Sequence, residues 1–237
     1  MFIDPHQLYQ DLDTLEEIEK ASLRLVVQAL YDYRDTAVEI FRAEGDLVAD
    51  IGEDITREAL DRMGMARIDQ RLFGKIDYKR ARYLFHPNYA IKQALFVDSK
   101  AEKTDGQRTA TLQTSQFSMI VRQARGGVIL EVPGTMPTIL SVRDDEYITT
   151  TIFVKYNYQE MAEGNVLQSM TIAAVPNGIL QDRYNPSAGD GIWLAGRNAP
   201  TLGEAFRVRL AFPMLKAKRQ WRVQTIPVAP YSFNWDD

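Results

Sequence analysis

The chain has 237 residues, a formal net charge of −4 and no cysteine, so disulfides, thiol catalysis and Cys-ligated zinc are excluded. Its length is ample for one domain with a sizeable core. No stretch approaches the roughly 18–20 apolar residues of a membrane span, and "MFIDPHQLYQ" lacks the basic and apolar regions of a signal peptide; a cytoplasmic protein with no membrane partner is expected.

Residues 1–70 hold 7 basic and 17 acidic side chains, a net −10. Leu15, Ile18, Ala21, Leu25, Val26, Ala29 and Leu30 recur at helical spacing and predict a helix over 12–44. Asp13 or Thr14 caps its start, Glu16 and Glu17 sit in the first turn, and Gly45 stops it. A second helix is expected over 53–63, "EDITREALDRM", ending near Gly64.

Residues 71–125 reverse the charge, with 11 basic and 4 acidic side chains and a net +7. A local positive field can steer a polyanion toward an acidic protein; a basic sheet edge balancing an acidic helical segment gives the same count. "KIDYKRARYLF" (75–85) reads as a strand, "HPN" (86–88) as a turn and "AIKQALFV" (90–97) as the return strand. Residues 107–123 are open between a helix and a long loop. Residues 126–237 are nearly neutral, at −1, with strands expected over 127–132, 148–158, 166–175, 204–212 and 221–226 and a loop at "RYNPSAGDG" (183–191). Helices followed by a mixed sheet indicate an α/β or α+β fold in one domain. It is expected to span residues 1–237: an acidic helical segment to 70, a basic hairpin segment to 125, then a sheet segment.

The stretch "ALFVDSKAEK" (94–103) places Asp98 and Lys100 directly after a buried-looking apolar run. Side chains two apart in a strand share a face. If 75–85 and 90–97 are neighbours, Asp77 lies beside them. Two carboxylates and one ammonium at one place suit phosphodiester hydrolysis: the acids hold Mg²⁺, a hard ion that prefers oxygen ligands. The metal polarises the phosphate and lowers the pKa of a bound water, and the lysine orients that water. Asp-(20 residues)-Asp-x-Lys fits the PD-(D/E)xK nuclease pattern, with Ile76 in place of proline. For an isolated triplet a strand-end ion pair is the better account; the preceding apolar run, the second acid and the basic block favour a site. Glu53 or Asp54 is a candidate further carboxylate, although acids near a helix start are also favoured by the helix dipole.

Beyond these residues, "EDITREAL", "GKIDYKRARYL", "LFVDSKA", "RTATLQTSQFSM", "TTTIFVKYNY", "RYNP" and "LAGRNAPTLGEAFRVRLAF" occur in order. Together they resemble the SfiI-like family of type II restriction endonucleases, related to BglI, from about residue 50 to 225; "LEEIEKASLRLVVQALYDY" resembles the family's start. The resemblance implies a restriction-endonuclease-like α/β core: a mixed five- to six-stranded sheet flanked by helices. It also implies Mg²⁺-dependent cleavage of both strands of double-stranded DNA at an interrupted, GC-rich palindrome. Asp77, Asp98 and Lys100 fall on the catalytic positions, Glu53 on the helix acid, and the Ser99 carbonyl on a further metal ligand.

Arg207 and Arg209 alternate on one strand face and Arg197 lies in the loop before it. The family implies that they read guanines, which arginine pairs bidentately in the major groove; without it, a solvated strand face is the simpler account. Asp105 or Glu102 is a candidate acceptor for cytosine N4, and Arg108 for a base or phosphate contact. Lys75, Lys79, Arg80, Arg82 and Lys103 are expected to position the backbone or stay solvated. A palindromic site calls for a two-fold assembly, a homodimer or homotetramer. A structure-specific nuclease of the same fold, or a non-catalytic DNA-binding protein that kept the scaffold, is the alternative.

Overall fold

The computed structural model of the chain describes residues 2–44, 48–64, 81–86, 91–103, 108–142, 144–162, 164–194, 207–228 and 232–237. In chain order the helices are α1 (Leu12–Asp32), α2 (Arg34–Ala43), α3 (Val48–Arg62), α4 (Gln181–Tyr184) and α5 (Phe212–Lys218). The strands are β1 (Ala81–His86), β2 (Ile91–Lys103), β3 (Thr109–Gln113), β4 (Ile120–Arg125), β5 (Val128–Pro133), β6 (Ile139–Val142), β7 (Asp145–Met161), β8 (Gly164–Val175), β9 (Trp193–Leu194), β10 (Arg207–Ala211) and β11 (Val223–Pro227). Among the described residues, no helix is long and apolar enough to cross a membrane.

The cap of α1 is Asp11, two to three residues before the expected ones: its carboxylate accepts the Thr14 N–H at 3.1 Å and the Thr14 hydroxyl at 2.7 Å. Leu15, Ile18, Leu23, Val26, Ala29 and Leu30 form the buried stripe, and Leu23 rather than Leu25 fills the inward position. The single helix expected over 12–44 breaks at Tyr33, whose backbone (φ −93°, ψ 0°) leaves helical geometry. The Tyr33 ring is buried with the Arg62 guanidinium 4.5 Å above it, so tertiary packing sets the break. The helix α3 starts five residues before the expected Glu53 and ends as expected at Gly64, whose φ of +71° is left-handed.

A six-stranded mixed sheet has the order β1-β2-β7-β8-β11, with β6 also paired to β7. The pair β2·β7 is parallel and the other pairs are antiparallel. The expected neighbours β1 and β2 pair with Ala81 opposite Phe96 and His86 opposite Ile91. One face of this sheet is packed by α1, α2 and α3, with Leu95, Val97, Ile152, Val154 and Tyr156 meeting Leu30, Phe41, Ile55 and Leu60. Against the other face lies a three-stranded sheet, β3-β10-β9, in an apolar cluster that includes Phe153, Ala110, Leu112, Val208, Leu210 and Trp193.

Several expectations change. Residues 107–123 are neither a helix nor one loop: they contain β3, a 3-10 turn at Thr114–Gln116 and the start of β4. The short strand β6 and helix α5 have no counterpart in the sequence reading. Pro213 sits in the first turn of α5, where its missing N–H costs nothing, so the expected strand to 212 stops at Ala211. The stretch "IFVKYNYQEM" is core and strand, as expected, with Phe153, Tyr156 and Tyr158 buried.

Glu16, expected in the first turn of the helix, is buried, and so is Glu19 one turn on. Glu19 Oε2 lies 2.6 Å from Arg222 Nη2, and neither side chain has exposed surface. The Tyr184 hydroxyl accepts from Arg222 Nε at 2.6 Å and donates to Glu16 Oε1 at 3.0 Å. Burial pushes the Glu19 carboxyl up, opposed by the Arg222 charge.

At Gly52 in α3 the helix backbone approaches the sheet so closely that a Cβ would lie 2.9 Å from Tyr156 Cδ2 and 3.4 Å from the Ala101 nitrogen. Tyr156 cannot swing aside, because it is fully buried and its hydroxyl is bound to Thr56 Oγ1 at 2.7 Å. Gly52→Ala is therefore expected to lower stability by about 1–3 kcal/mol, read as a lower urea midpoint, whereas alanine in an open helix site would raise it. A higher midpoint would mean that α3 is not held against the sheet at this point.

Candidate active site and reading sheet

The strand β2 continues straight through the charged stretch to Lys103, six residues past the expected end. Asp98, Lys100 and Glu102 share one face of it, and in register they lie beside Phe153, Lys155 and Asn157 of β7. Ser99 and Ala101 share the opposite, helix-covered face. There the Ser99 hydroxyl donates to Thr56 Oγ1 at 2.7 Å, and Thr56 donates to the Gly52 carbonyl at 2.9 Å. These bonds tie the middle of β2 to α3, the helix that carries Glu53.

Asp98 is 8 % exposed. Lys100 is half-buried; its Nζ donates to the Thr111 carbonyl at 2.8 Å and lies 5.9 Å from the Phe153 ring centre. An acid and a base therefore stand two residues apart on a strand that β7 pairs along this stretch, beneath the β3-β10-β9 sheet. In that smaller sheet Val208 and Leu210 point inward and Arg209 is exposed, opposite Thr111 of β3 and Leu194 of β9. Arg207 occupies the register position opposite Gln113.

A family model described as "Type II restriction enzyme SfiI" matches residues 30–226. The chain belongs to the SfiI family of type II restriction enzymes. It is 36 % identical to the type II restriction enzyme SfiI of Streptomyces fimbriatus, over 93 % of this chain and 88 % of that one. It also superimposes on tetrameric restriction endonuclease SfiI bound to cognate DNA, with a TM-score of 0.83, 33 % identity, and coverage of 100 % of this chain and 91 % of that one. Restriction endonuclease BglI bound to its DNA recognition sequence has a TM-score of 0.76 at 17 % identity, over 95 % and 94 % of the two chains, which speaks for a shared fold. The expected restriction-endonuclease architecture is thus present, and a member of this family is a site-specific deoxyribonuclease.

Within this SfiI-family frame Asp98 and Lys100 share one face of β2 with Ser99 between them, and Glu53 is half-buried on α3, the helix packed against the other face of that strand. Glu53 sits in the second turn of its helix rather than at the N-terminus, so the dipole explanation for an acid there loses its footing. Asp77, Asp105 and Arg197 lie outside the described residues, as do Lys75, Lys79 and Arg80. Arg108 is exposed just before β3, and its carbonyl accepts the Phe212 N–H at 3.0 Å. Glu102, a candidate base contact by sequence, has its carboxylate 2.6 Å from Lys155 Nζ, and Lys103 pairs with Glu160 at 2.8 Å. Lys155 itself escaped sequence reasoning. The signal was present as the one charge in "TTTIFVKYNY", a run otherwise free of charge.

Proposed function

We propose that this SfiI-family enzyme acts in the cytoplasm as a homodimer or homotetramer, cutting both strands of duplex DNA at an interrupted, GC-rich palindrome with Mg²⁺. The observation that carries this is Asp98 and Lys100 on one face of β2, under the sheet whose β10 bears Arg209. Asp98, Asp77, the Ser99 carbonyl and Glu53 offer only oxygen donors, a set that fits a hard divalent ion. When bound, Mg²⁺ polarises the scissile phosphate and lowers the pKa of its water. The Lys100 ammonium orients the attacking water and offsets charge building at phosphorus. Arg197, Arg207 and Arg209 read guanine O6 and N7, Asp105 accepts from cytosine N4, and Arg108 contacts a base or phosphate. A palindrome demands a two-fold assembly, and the tetrameric, DNA-bound SfiI supports both the oligomer and the DNA partner.

Sequencing the ends produced from a random DNA library, with Mg²⁺ and with EDTA, tests this. The expected result is one GC-rich, interrupted two-fold consensus, cut only with metal. Arg209→Ala should reduce cleavage of that consensus by about 10- to 100-fold, the 1–3 kcal/mol of one bidentate guanine contact, and relax one base position. Ends without a consensus, or cutting that follows branches and nicks, would replace this proposal with a structure-specific nuclease.

A further inference from the structure

Lys155 is fully buried at the centre of the molecule, on β7 beside Lys100. A lysine held without water must have its ammonium bound on all sides that matter. Its Nζ donates to the Thr109 carbonyl at 2.8 Å and meets Glu102 Oε2 at 2.6 Å. Lys100 does the same one step along, donating to the Thr111 carbonyl. Carbonyls two apart in a strand point to the same side, and β3 is the end strand of its sheet, with β10 on its other side. The two lysines are therefore rungs from the large sheet to the edge of β3 that faces away from β10.

The rungs differ in kind. Lys155 is locked by burial and by Glu102, a residue of β2 itself, so it ties β2, β7 and β3 together at one atom. Lys100 hangs from the same edge and is the base of the candidate site. Thr111, which holds it, pairs in register with Arg209. A shift of β10 along or away from β3 would thus be passed to the Lys100 ammonium through a single strand.

We propose that Lys155 is a positioning residue: its bonds to Thr109 and Glu102 fix the β3-β10-β9 sheet against β2, so that the fit of the reading strand on DNA sets the place of Lys100. This rests on the function proposed above. Losing the fixed rung leaves the hold on β3 to the half-buried Lys100 and to apolar packing, which tolerates sliding. An error of about 1 Å at a reacting group costs on the order of 100-fold in rate, while contacts to DNA survive.

The test is single-turnover cleavage by Lys155→Met, which keeps an unbranched stem of similar length. It is assayed on the cognate site and on sites with one base changed. DNA affinity is measured with Ca²⁺ in place of Mg²⁺, and Asp98→Ala serves as a control. The expected result is a rate on the cognate site about 10- to 100-fold lower, affinity within about threefold, and a smaller ratio between cognate and altered sites. Glu102→Gln, at a half-exposed position, loosens the same rung without a buried change and should move rate and ratio the same way by less. It decides the matter if Lys155→Met does not fold. Unchanged rate and ratio in a folded variant overturns the proposal, and so does a rate that falls only in step with affinity and melting temperature. If Asp98→Ala cuts as well as the parent, the site itself is misplaced, and that failure is separate from one in Lys155.

Discussion

Asp98→Ala is expected to abolish plasmid cleavage with Mg²⁺, by at least on the order of 1,000-fold, while DNA binding persists. The size follows from the several kcal/mol that a metal-assisted site contributes to the transition state. Persistence of binding follows from placement: of the arginines held responsible for base reading, Arg207 and Arg209 belong to β10 and Arg197 precedes it in sequence, and none belongs to β2. Without divalent ions a carboxylate beside the phosphate path repels DNA, so the variant should bind more tightly than the parent in EDTA, read by gel shift. The chain is described there by a rigid strand rather than a loop, with Val97 and Phe96 buried just before Asp98 and Ser99 bonded to α3 just after it. Small rearrangements therefore cannot bring another acid into its place. An undiminished digest by Asp98→Ala would sink the assignment of the site.

Arg222→Met should lower stability by about 3–5 kcal/mol and the melting temperature by roughly 10 °C for a chain of this size. Arg222 and Glu19 are both fully buried, so removing the guanidinium strands a carboxylate without water or partner charge. The double variant with Glu19→Gln should recover more than half of the loss, because the amide oxygen can still accept the Asn177 N–H that Glu19 Oε1 now takes at 2.8 Å. Glu16 adds a pH arm. Burial pushes its carboxyl up, but the Arg222 charge, the Arg219 N–H and the Tyr184 hydroxyl outweigh that and leave it below its usual 4.5. A depressed carboxyl contributes stability that is complete above its unfolded pKa and is lost as pH falls through the folded value. Urea midpoints should therefore decline below pH 4.5, and decline less steeply in Arg222→Met. A loss below about 1 kcal/mol, the size of a surface pair, would mean that the cluster admits water.

Much of the candidate site was legible because β2 carries an unmixed apolar run just before its charged residues. Ala94 to Val97 announce a buried strand, and alternation then places Asp98 and Lys100 side by side. The far half of the strand was not legible, since Asp98 to Lys103 alternate charged with small residues and lack the apolar face that marks a strand. Pairing with β7 holds them extended, and pairing across about 55 residues leaves no local signal. Glu16 hid for a similar reason: an acid at a helix start looks like a dipole partner until the distant Arg219 and Arg222 are seen beside it. Lys155 reads as an interruption in a core strand, and only the position of β3 gives its ammonium a purpose. The break at Tyr33 and the early start of α3 are tertiary choices that override helix periodicity.

The parallel pairing of β2 with β7 also governs when the enzyme comes into being. Between the two strands the chain lays down β3, β4, β5 and β6, so β2 has only its local neighbour β1 while that stretch is made. Contacts so distant in sequence form late and slowly. Residues 98–103 receive their β7 partner, and Lys100 its flanking Phe153 and Lys155, only once 153–158 have been synthesised. A chain cut short before β7 carries Asp98 and Lys100 without the strand that pairs with them, so on the proposed function it is expected to show no cleavage in a truncation assay.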